Sequence, residues 1–217
     1  MNEAAQPQLI YRSFPVGPFQ CNCTIIGDTV SKQAIVVDPG GNPEIIMREI
    51  EAMGLKVVSI IHTHAHLDHI LAAGEIKKAT GAEICLHEQD KFLWDGAEDQ
   101  CRKFGIPYNP LPSPDRWIND DAALNCSDGV AIHTPGHTPG SMSFWFKDAN
   151  LLLAGDTLFQ RSIGRTDLPG GDFNTIIKSI RERLMVLDET ATVITGHGPK
   201  TSIGEELREN PFINGQY

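Results

Sequence analysis

Short apolar runs alternate with amphipathic stretches along most of the 217-residue chain. The β-branched run VVSII at residues 57–61 is typical of a strand that is buried on both faces. Similar runs bounded by Gly, Pro, Asn or Asp predict further strands. The predicted strands cover residues 9–14, 23–27, 34–38, 57–61, 84–86, 130–133, 143–146, 151–153 and 192–195.

Helices are predicted where apolar positions recur every three to four residues. The Pro-Gly-Gly sequence at 39–41 closes the third strand and admits a helix from Pro43, with Ile46 and Ile50 on one face. Strands and helices in alternation, with hairpins between them, predict a layered α/β protein. The absence of a linker or an internal repeat predicts a single domain over 1–217. Further helices are predicted at 68–80, 88–103 and 176–187, and a proline-rich surface loop at 107–117.

Charge and composition narrow the choice of partners. The chain carries 28 acidic and 18 basic residues, a formal net charge of −10, which disfavours nucleic acid and anionic membrane surfaces as partners. No apolar run approaches the roughly 20 residues that span a bilayer. Five scattered cysteines and an N-terminus unlike a secretory signal predict a reducing cytoplasm. Nothing in the sequence indicates an oligomeric state.

The segment THAHLDH, residues 63–69, holds three of the eight histidines and directly follows the strand at 57–61. In extended backbone His64 and His66 project to the same side, while Asp68 and His69 turn into the following helix. Imidazole and carboxylate are ligands for zinc, iron or manganese. The alternative, an ordinary helix start capped by Asp68, leaves this coincidence of ligand types unexplained.

Three more ligand-type residues each follow a predicted strand. They are His137 in HTPGHTPGS, Asp156 in LLLAGDT and His197 in VITGHGP, where the flanking glycines permit close backbone approach. Seven ligands are too many for one tetrahedral zinc but suit two metals that share a carboxylate. We assign His64, His66 and His137 to a first metal, Asp68, His69 and His197 to a second, and Asp156 to both.

The other histidines, His62, His87 and His133, are expected to be structural. Asp38 ends the third strand, where it either supports a metal ligand or caps a turn.

The ordered set His64-x-His66-x-Asp68-His69, His137, Asp156 and His197 resembles the metallo-β-lactamase superfamily over essentially the whole chain. The resemblance implies an αββα four-layer sandwich with the metal site at one edge of the sheets. The stretches PGHTPGS, GDTLF, GRTDLPGGD and GHGP are similar to the glyoxalase II group, the hydroxyacylglutathione hydrolases. The SPDRW segment and the short C-terminus are similar to its compact bacterial type, which lacks the C-terminal helical domain that binds glutathione.

The glyoxalase II resemblance implies hydrolysis of a small-molecule thioester, S-D-lactoylglutathione, to D-lactate and glutathione. It implies two divalent metal ions, Zn²⁺ first and Fe or Mn as alternatives, which lower the pKa of a bridging water from 15.7 toward ~7. Asp68 and Asp156 are then the catalytic carboxylates that hold the attacking hydroxide. Phe159, Arg161 and Arg165 are candidate substrate contacts, although pairing of Arg165 with Asp167 or Asp172 is the favoured alternative.

Rival functions on the same scaffold remain open. A persulfide dioxygenase with one iron has a similar GRTD segment, and a lactonase uses the same seven ligands. A β-lactamase is disfavoured because those enzymes lack an aspartate at the position of Asp156. A metal-dependent binding or sensing protein is the alternative without enzymatic activity.

Overall fold

The computed structural model describes residues 9–215, and the first residues of the chain, on which part of the cytoplasm prediction rests, lie outside this range. Most of the strands form two sheets, and all described helices are shorter than a membrane-crossing span. The strands are β1 Leu9–Val16, β2 Cys21–Asp28, β3 Gln33–Val37, β4 Lys56–Ile61, β5 Glu83–Leu86, β6 Arg116–Trp117, β7 Val130–His133, β8 Met142–Phe146, β9 Leu151–Gly155, β10 Leu158–Phe159, β11 Ser162–Ile163, β12 Thr192–Thr195 and β13 Thr201–Ser202. The α-helices are α1 Pro43–Met53, α2 Leu67–Ile70, α3 Ala73–Thr80, α4 Lys91–Asp95, α5 Ala97–Phe104, α6 Phe173–Ser179 and α7 Ile203–Glu209.

Two sheets lie face to face between helices, as the family resemblance implies. One sheet has the order β1-β2-β3-β4-β5-β6 and the other β13-β12-β9-β8-β7. Alternation along β9 shows the layering, because Leu151 and Leu153 join the core between the sheets while Leu152 packs toward α6 and α7. A third apolar cluster joins the first sheet to α1 and α3. Three cores thus separate four layers, the αββα sandwich.

The helix predicted at 68–80 is two helices, so that prediction was wrong at its centre. The backbone N–H of Ala72 donates to the carbonyl of Pro39 (2.8 Å) instead of continuing the helix. Gly40 makes this approach possible, since a Cβ there would lie 1.6 Å from the backbone oxygen of Asp68. The β3–α1 turn therefore packs directly against the ligand-bearing segment.

Other boundaries also differ from the sequence prediction. The helix expected at 88–103 is a 3₁₀ turn followed by α4 and α5, which are separated at Gly96. The helix expected at 176–187 begins at Phe173, because Asp172 caps it by accepting from the N–H of Thr175 (2.7 Å), and it ends in a π-helical turn, Ile180–Leu184. The proline-rich loop closes with β6, and α7 was not predicted at all.

Candidate metal centre

All seven predicted ligands come together at one edge of the sandwich. His64 and His66 lie in the loop between β4 and α2, which itself carries Asp68 and His69. Each of the other three ligands follows a strand of the second sheet. His137 lies between β7 and β8, Asp156 directly after β9, and His197 after β12.

Three imidazoles form the group predicted for a first metal. His66 Nδ1 lies 2.9 Å from His137 Nε2, and His137 Nε2 lies 3.2 Å from His64 Nε2. His64 and His137 are almost fully buried, with 1% and 2% of their surface exposed. The three nitrogens are close enough to bind one ion together.

The second group contains two imidazoles and a carboxylate. His197 Nε2 lies 3.1 Å from Asp68 Oδ2 and 3.3 Å from His69 Nε2. His69 Nε2 lies 3.7 Å from the same Asp68 oxygen. This mixed nitrogen and oxygen set is also able to hold an ion.

Asp156 lies between the two groups. Its Oδ1 is 3.5 Å from His69 Nε2, and its Oδ2 is 3.7 Å from His137 Nε2 and 3.8 Å from His197 Nε2. Oδ1 is buried and has no hydrogen-bond partner among the described residues. One carboxylate therefore faces ligands of both groups.

Hydrogen bonds on the outer side of the rings fix which nitrogen carries the proton. His137 Nδ1 donates to the carbonyl of Arg165 (2.8 Å), and His197 Nδ1 donates to the carbonyl of Phe19 (3.0 Å). Carbonyl oxygens only accept, so the N–H of each ring is committed there and the inner nitrogen presents a lone pair. Lone pairs that converge without a donor between them, beside the unpartnered oxygen of Asp156, fit a bound cation.

Asp38 supports ligands of both groups, which decides between the two roles expected for it. Its carboxylate accepts from His69 Nδ1 (3.0 Å) and from the N–H and hydroxyl of Thr63 (2.8 and 2.6 Å). The Thr63 hydroxyl in turn lies 3.1 Å from His64 Nδ1. Cys21, which was not predicted to lie near the ligands, has its Sγ 3.4 Å from His69 Nδ1.

The two groups differ in their electrostatics. Burial, with the neighbouring imidazoles, holds the pKa of His64 well below its usual value and lowers that of His66 to about 3, so both rings stay neutral. Burial acts the same way on His69, but the carboxylates of Asp156, Asp68 and Asp38 outweigh it and raise its pKa well above the usual value. The second group thus stabilises positive charge at the position of its inner nitrogens.

The predicted substrate residues lie in three different settings. Arg165 is exposed and makes a bidentate pair with Asp167 (2.8 and 2.7 Å), the alternative that the sequence favoured. Arg161 forms an ion pair with Glu209 of α7. Phe159 is half-buried in β10.

The sequence did not predict an aromatic pair beside the centre. The exposed rings of Phe19 and Phe104 meet edge to face with their centroids 5.3 Å apart. Phe19 also holds His197 through its carbonyl, which places the pair at the second group. The two residues are 85 positions apart, so no local pattern brings them together.

The remaining histidines contribute no atom to either group. His62 is buried against Trp94 and its Nδ1 donates to the carbonyl of His69 (3.1 Å). His87 and His133 stack on each other, with ring centroids 4.3 Å apart. All three fit the structural roles expected for them.

Comparison with known proteins places this chain in a family. Residues 16–197 match the model of the Metallo-beta-lactamase superfamily. Hydroxyacylglutathione hydrolase GloC of Haemophilus influenzae is 43% identical over 204 residues, 92% of this chain and 96% of that protein. The crystal structure of BLEG-1 B3 metallo-beta-lactamase superposes with a TM-score of 0.88 at 35% identity, over 95% of this chain and 100% of the other. That of TTHA1623 in a di-iron-bound form superposes with a TM-score of 0.86 at 33% identity, over 93% and 99%. With more than half of its length matching the family model, and with these relatives, this chain belongs to the metallo-beta-lactamase superfamily and is a hydrolase of that superfamily.

Proposed function

We propose that this protein hydrolyses a glutathione thioester, S-D-lactoylglutathione, with two divalent metal ions. The observation that carries the proposal is Asp156, whose carboxylate faces a ligand of each group at 3.5 to 3.8 Å. A di-iron-bound form of a 33% identical structure and a 43% identical relative named hydroxyacylglutathione hydrolase support it. Zinc is the metal that we expect first, with iron or manganese as alternatives, because imidazole and carboxylate ligands accept all three.

The residues of the chain have distinct tasks in this reaction. His64, His66 and His137 would hold one ion, Asp68, His69 and His197 would hold the other, and Asp156 would contribute to both. When bound, the ions would supply a water of lowered pKa as nucleophile and positive charge for the developing oxyanion. Asp68 and Asp156 orient that water from the protein side.

The histidine ring protons, which are donated to oxygens of the protein, favour a thioester over other acyl substrates. With the ions bound, the inner nitrogens of His69, His137 and His197 would be ligands, and the N–H of each ring points outward to a protein oxygen, so none of these rings would have a proton to donate to a leaving group. A thiolate leaves without protonation, because free thiols have a pKa of about 8.5. An amine leaving group needs a proton, which these rings do not supply.

Recognition of glutathione requires a cation for its carboxylates. Arg165 is the candidate whose own backbone contacts a ligand, since its carbonyl accepts from His137 Nδ1. Its guanidinium is paired with Asp167, so a substrate carboxylate has to compete with that residue. We therefore propose that Arg165 contributes to binding and not to turnover.

The five cysteines are free thiols, which agrees with a reducing compartment such as the cytoplasm.

The test is a panel of substrates on one metal-loaded preparation: S-D-lactoylglutathione, a simple lactone, a β-lactam, and glutathione persulfide with oxygen uptake as readout. We expect the thioester to give the highest kcat/KM and chelation to abolish its hydrolysis. Oxygen uptake with one iron per chain and no thioester hydrolysis would instead identify a persulfide dioxygenase. Preference for the lactone would identify a lactonase.

β-Lactam hydrolysis is the second candidate, because BLEG-1, a 35% identical structure, is a B3 metallo-beta-lactamase. Hydrolysis of a β-lactam breaks the bond between the acyl carbon and nitrogen, so the leaving group is an amine. The ring N–H groups that point outward provide no acid to protonate it. The same panel distinguishes the two, since a β-lactamase would turn over the β-lactam faster than the thioester.

A further inference from the structure

Asp90 is a buried carboxylate near the centre that is not one of its ligands. It ends the 3₁₀ turn after β5 and begins α4, and none of its surface is exposed. Its Oδ1 accepts from the N–H of Gly140 (2.7 Å), and its Oδ2 accepts from the N–H of Ala65 (3.0 Å) and the hydroxyl of Thr138 (2.7 Å). A buried carboxylate without a cationic partner is costly unless donors surround it, and these three donors meet that requirement.

The donors come from the two loops that carry the first metal group. Ala65 is the residue between His64 and His66, and Thr138 directly follows His137. Asp90 therefore bridges the β4–α2 loop to the β7–β8 loop.

A second side chain holds the same peptide from its other end. Gln100 of α5 donates from Nε2 to the carbonyl of Ala65 (3.3 Å) and accepts at Oε1 from the N–H of Leu67 (3.0 Å). Asp90 thus holds the backbone N–H of Ala65, while Gln100 holds the carbonyl of Ala65 and the N–H of Leu67.

Gly140 packs so closely against Asp90 that it has no room for a side chain of its own. A Cβ on Gly140 would lie 2.7 Å from Oδ1 of Asp90 and 2.8 Å from its backbone nitrogen. Glycine is required there because the loop has to approach the carboxylate closely enough to donate its N–H.

We infer that Asp90 is a positioning residue that sets the spacing of His64, His66 and His137 and so determines the affinity of the first metal site selectively. The inference rests on the proposed function, which assigns these three imidazoles to one ion. Asp90 itself lies behind the ligand loops and is not assigned to the metal or the substrate.

Asp90→Asn is the decisive variant because it keeps the shape of the side chain. Two of the three partners are backbone N–H groups, which cannot accept a hydrogen bond. Either orientation of the new amide places its NH₂ against one of them. We expect the affinity of the first site to fall by about 10- to 100-fold while the second site is retained.

Gly140→Ala gives an independent perturbation that leaves the carboxylate in place. Its methyl group forces the β7–β8 loop away from Asp90, so we expect the same selective loss. Glu206→Gln is the matched control, because Glu206 is equally buried and also accepts from three donors, Thr201 Oγ1, Arg161 N and Asn210 Nδ2, but contacts no ligand.

The experiment titrates zinc into each metal-free, full-length variant, with stoichiometry by elemental analysis and ¹⁵N signals of the histidine rings as the site-specific readout. Asp90→Asn and Gly140→Ala should weaken one of two binding steps and alter the signals of His64, His66 and His137, whereas Glu206→Gln should bind zinc like the wild type. Equal loss at both sites, wild-type binding, or the same loss in Glu206→Gln would overturn the role of Asp90. Fewer than two ions on the wild-type chain would contradict the proposed function instead, and the three ring signals would still decide the role of Asp90.

Discussion

Gly196, directly before His197, is the position at which one added methyl group acts most directly on the centre. A Cβ on Gly196 would lie 1.9 Å from Asp156 Oδ1 and 3.0 Å from the backbone carbon of Gly155. The second atom is backbone and cannot retreat, so the carboxylate has to move. Gly196→Ala therefore displaces the residue that the proposed function places between the two ions.

The required displacement is large on the scale of metal coordination. Bringing the methyl group and the oxygen to an acceptable distance moves Oδ1 by about 1.1 Å, whereas ligand distances in metal sites tolerate about 0.2 Å. A misplacement of this size near reacting atoms costs about 100-fold in turnover. We expect Gly196→Ala to fold, to hold about one ion or fewer per chain, and to lose at least that much thioester hydrolysis.

Gly198→Ala is the matched control in the same loop. Gly198 has a φ of +73° and no atom within 4 Å of an added Cβ, so its substitution costs about 1 kcal/mol of backbone strain without a steric contact. Metal content and thioester hydrolysis are measured for both variants beside the wild type. Wild-type metal content and turnover in Gly196→Ala would refute the placement of Asp156 between the ions.

Three further predictions concern carboxylates. Asp156→Ala should lower the metal content and abolish thioester hydrolysis, as measured by elemental analysis and turnover; retained activity with both ions bound would contradict its bridging role. Asp38→Asn keeps the hydrogen bond from the Thr63 N–H but presents an amide donor to His69 Nδ1. Zinc affinity, measured by titration, should therefore fall about 10- to 100-fold. Unchanged affinity would show that the hydrogen bond between Asp38 and His69 is dispensable. Burial raises the pKa of Asp120, but the hydrogen bonds from Arg183 and the His133 N–H lower it overall from 3.8; its stabilisation is therefore present above that pH and lost as pH falls through the lowered value. Asp120→Asn should accordingly lower the melting temperature at neutral pH but not at strongly acidic pH, and an equal loss at both would contradict this linkage.

The ligand positions could be read from the sequence because each follows an element that the hydrophobic pattern defines. A carboxylate directly after the apolar strand β9 has no packing reason to be there, and the same holds for a glycine-flanked histidine after β12. The layered fold was predictable for a similar reason, since short continuous apolar runs mark strands that are buried on both faces. The topology, and with it the meeting of four ligand-bearing chain segments at one edge, came from the family resemblance.

Features that depend on tertiary contacts could not be read in this way. The break between α2 and α3 follows from a hydrogen bond between Ala72 and Pro39, which are distant in the local pattern. Asp90 also follows a buried strand, β5, yet only its three partners distinguish it from a capping residue. The start of α7 did carry a local signal, Ser202-x-x-Glu205, and Ser202 accepts from the N–H of Glu205 (3.2 Å) as a capping box requires.

The proposed hydrolysis of a thioester with two ions, which Asp156 would join, is tested most directly by elemental analysis of the purified chain. S-D-lactoylglutathione hydrolysis is measured on the same chain before chelation, after chelation and after zinc is restored. We expect about two ions per chain, loss of turnover when they are removed and recovery when they return. Two ions without thioester turnover would contradict the substrate, and turnover that survives complete removal of the metal would contradict the mechanism itself.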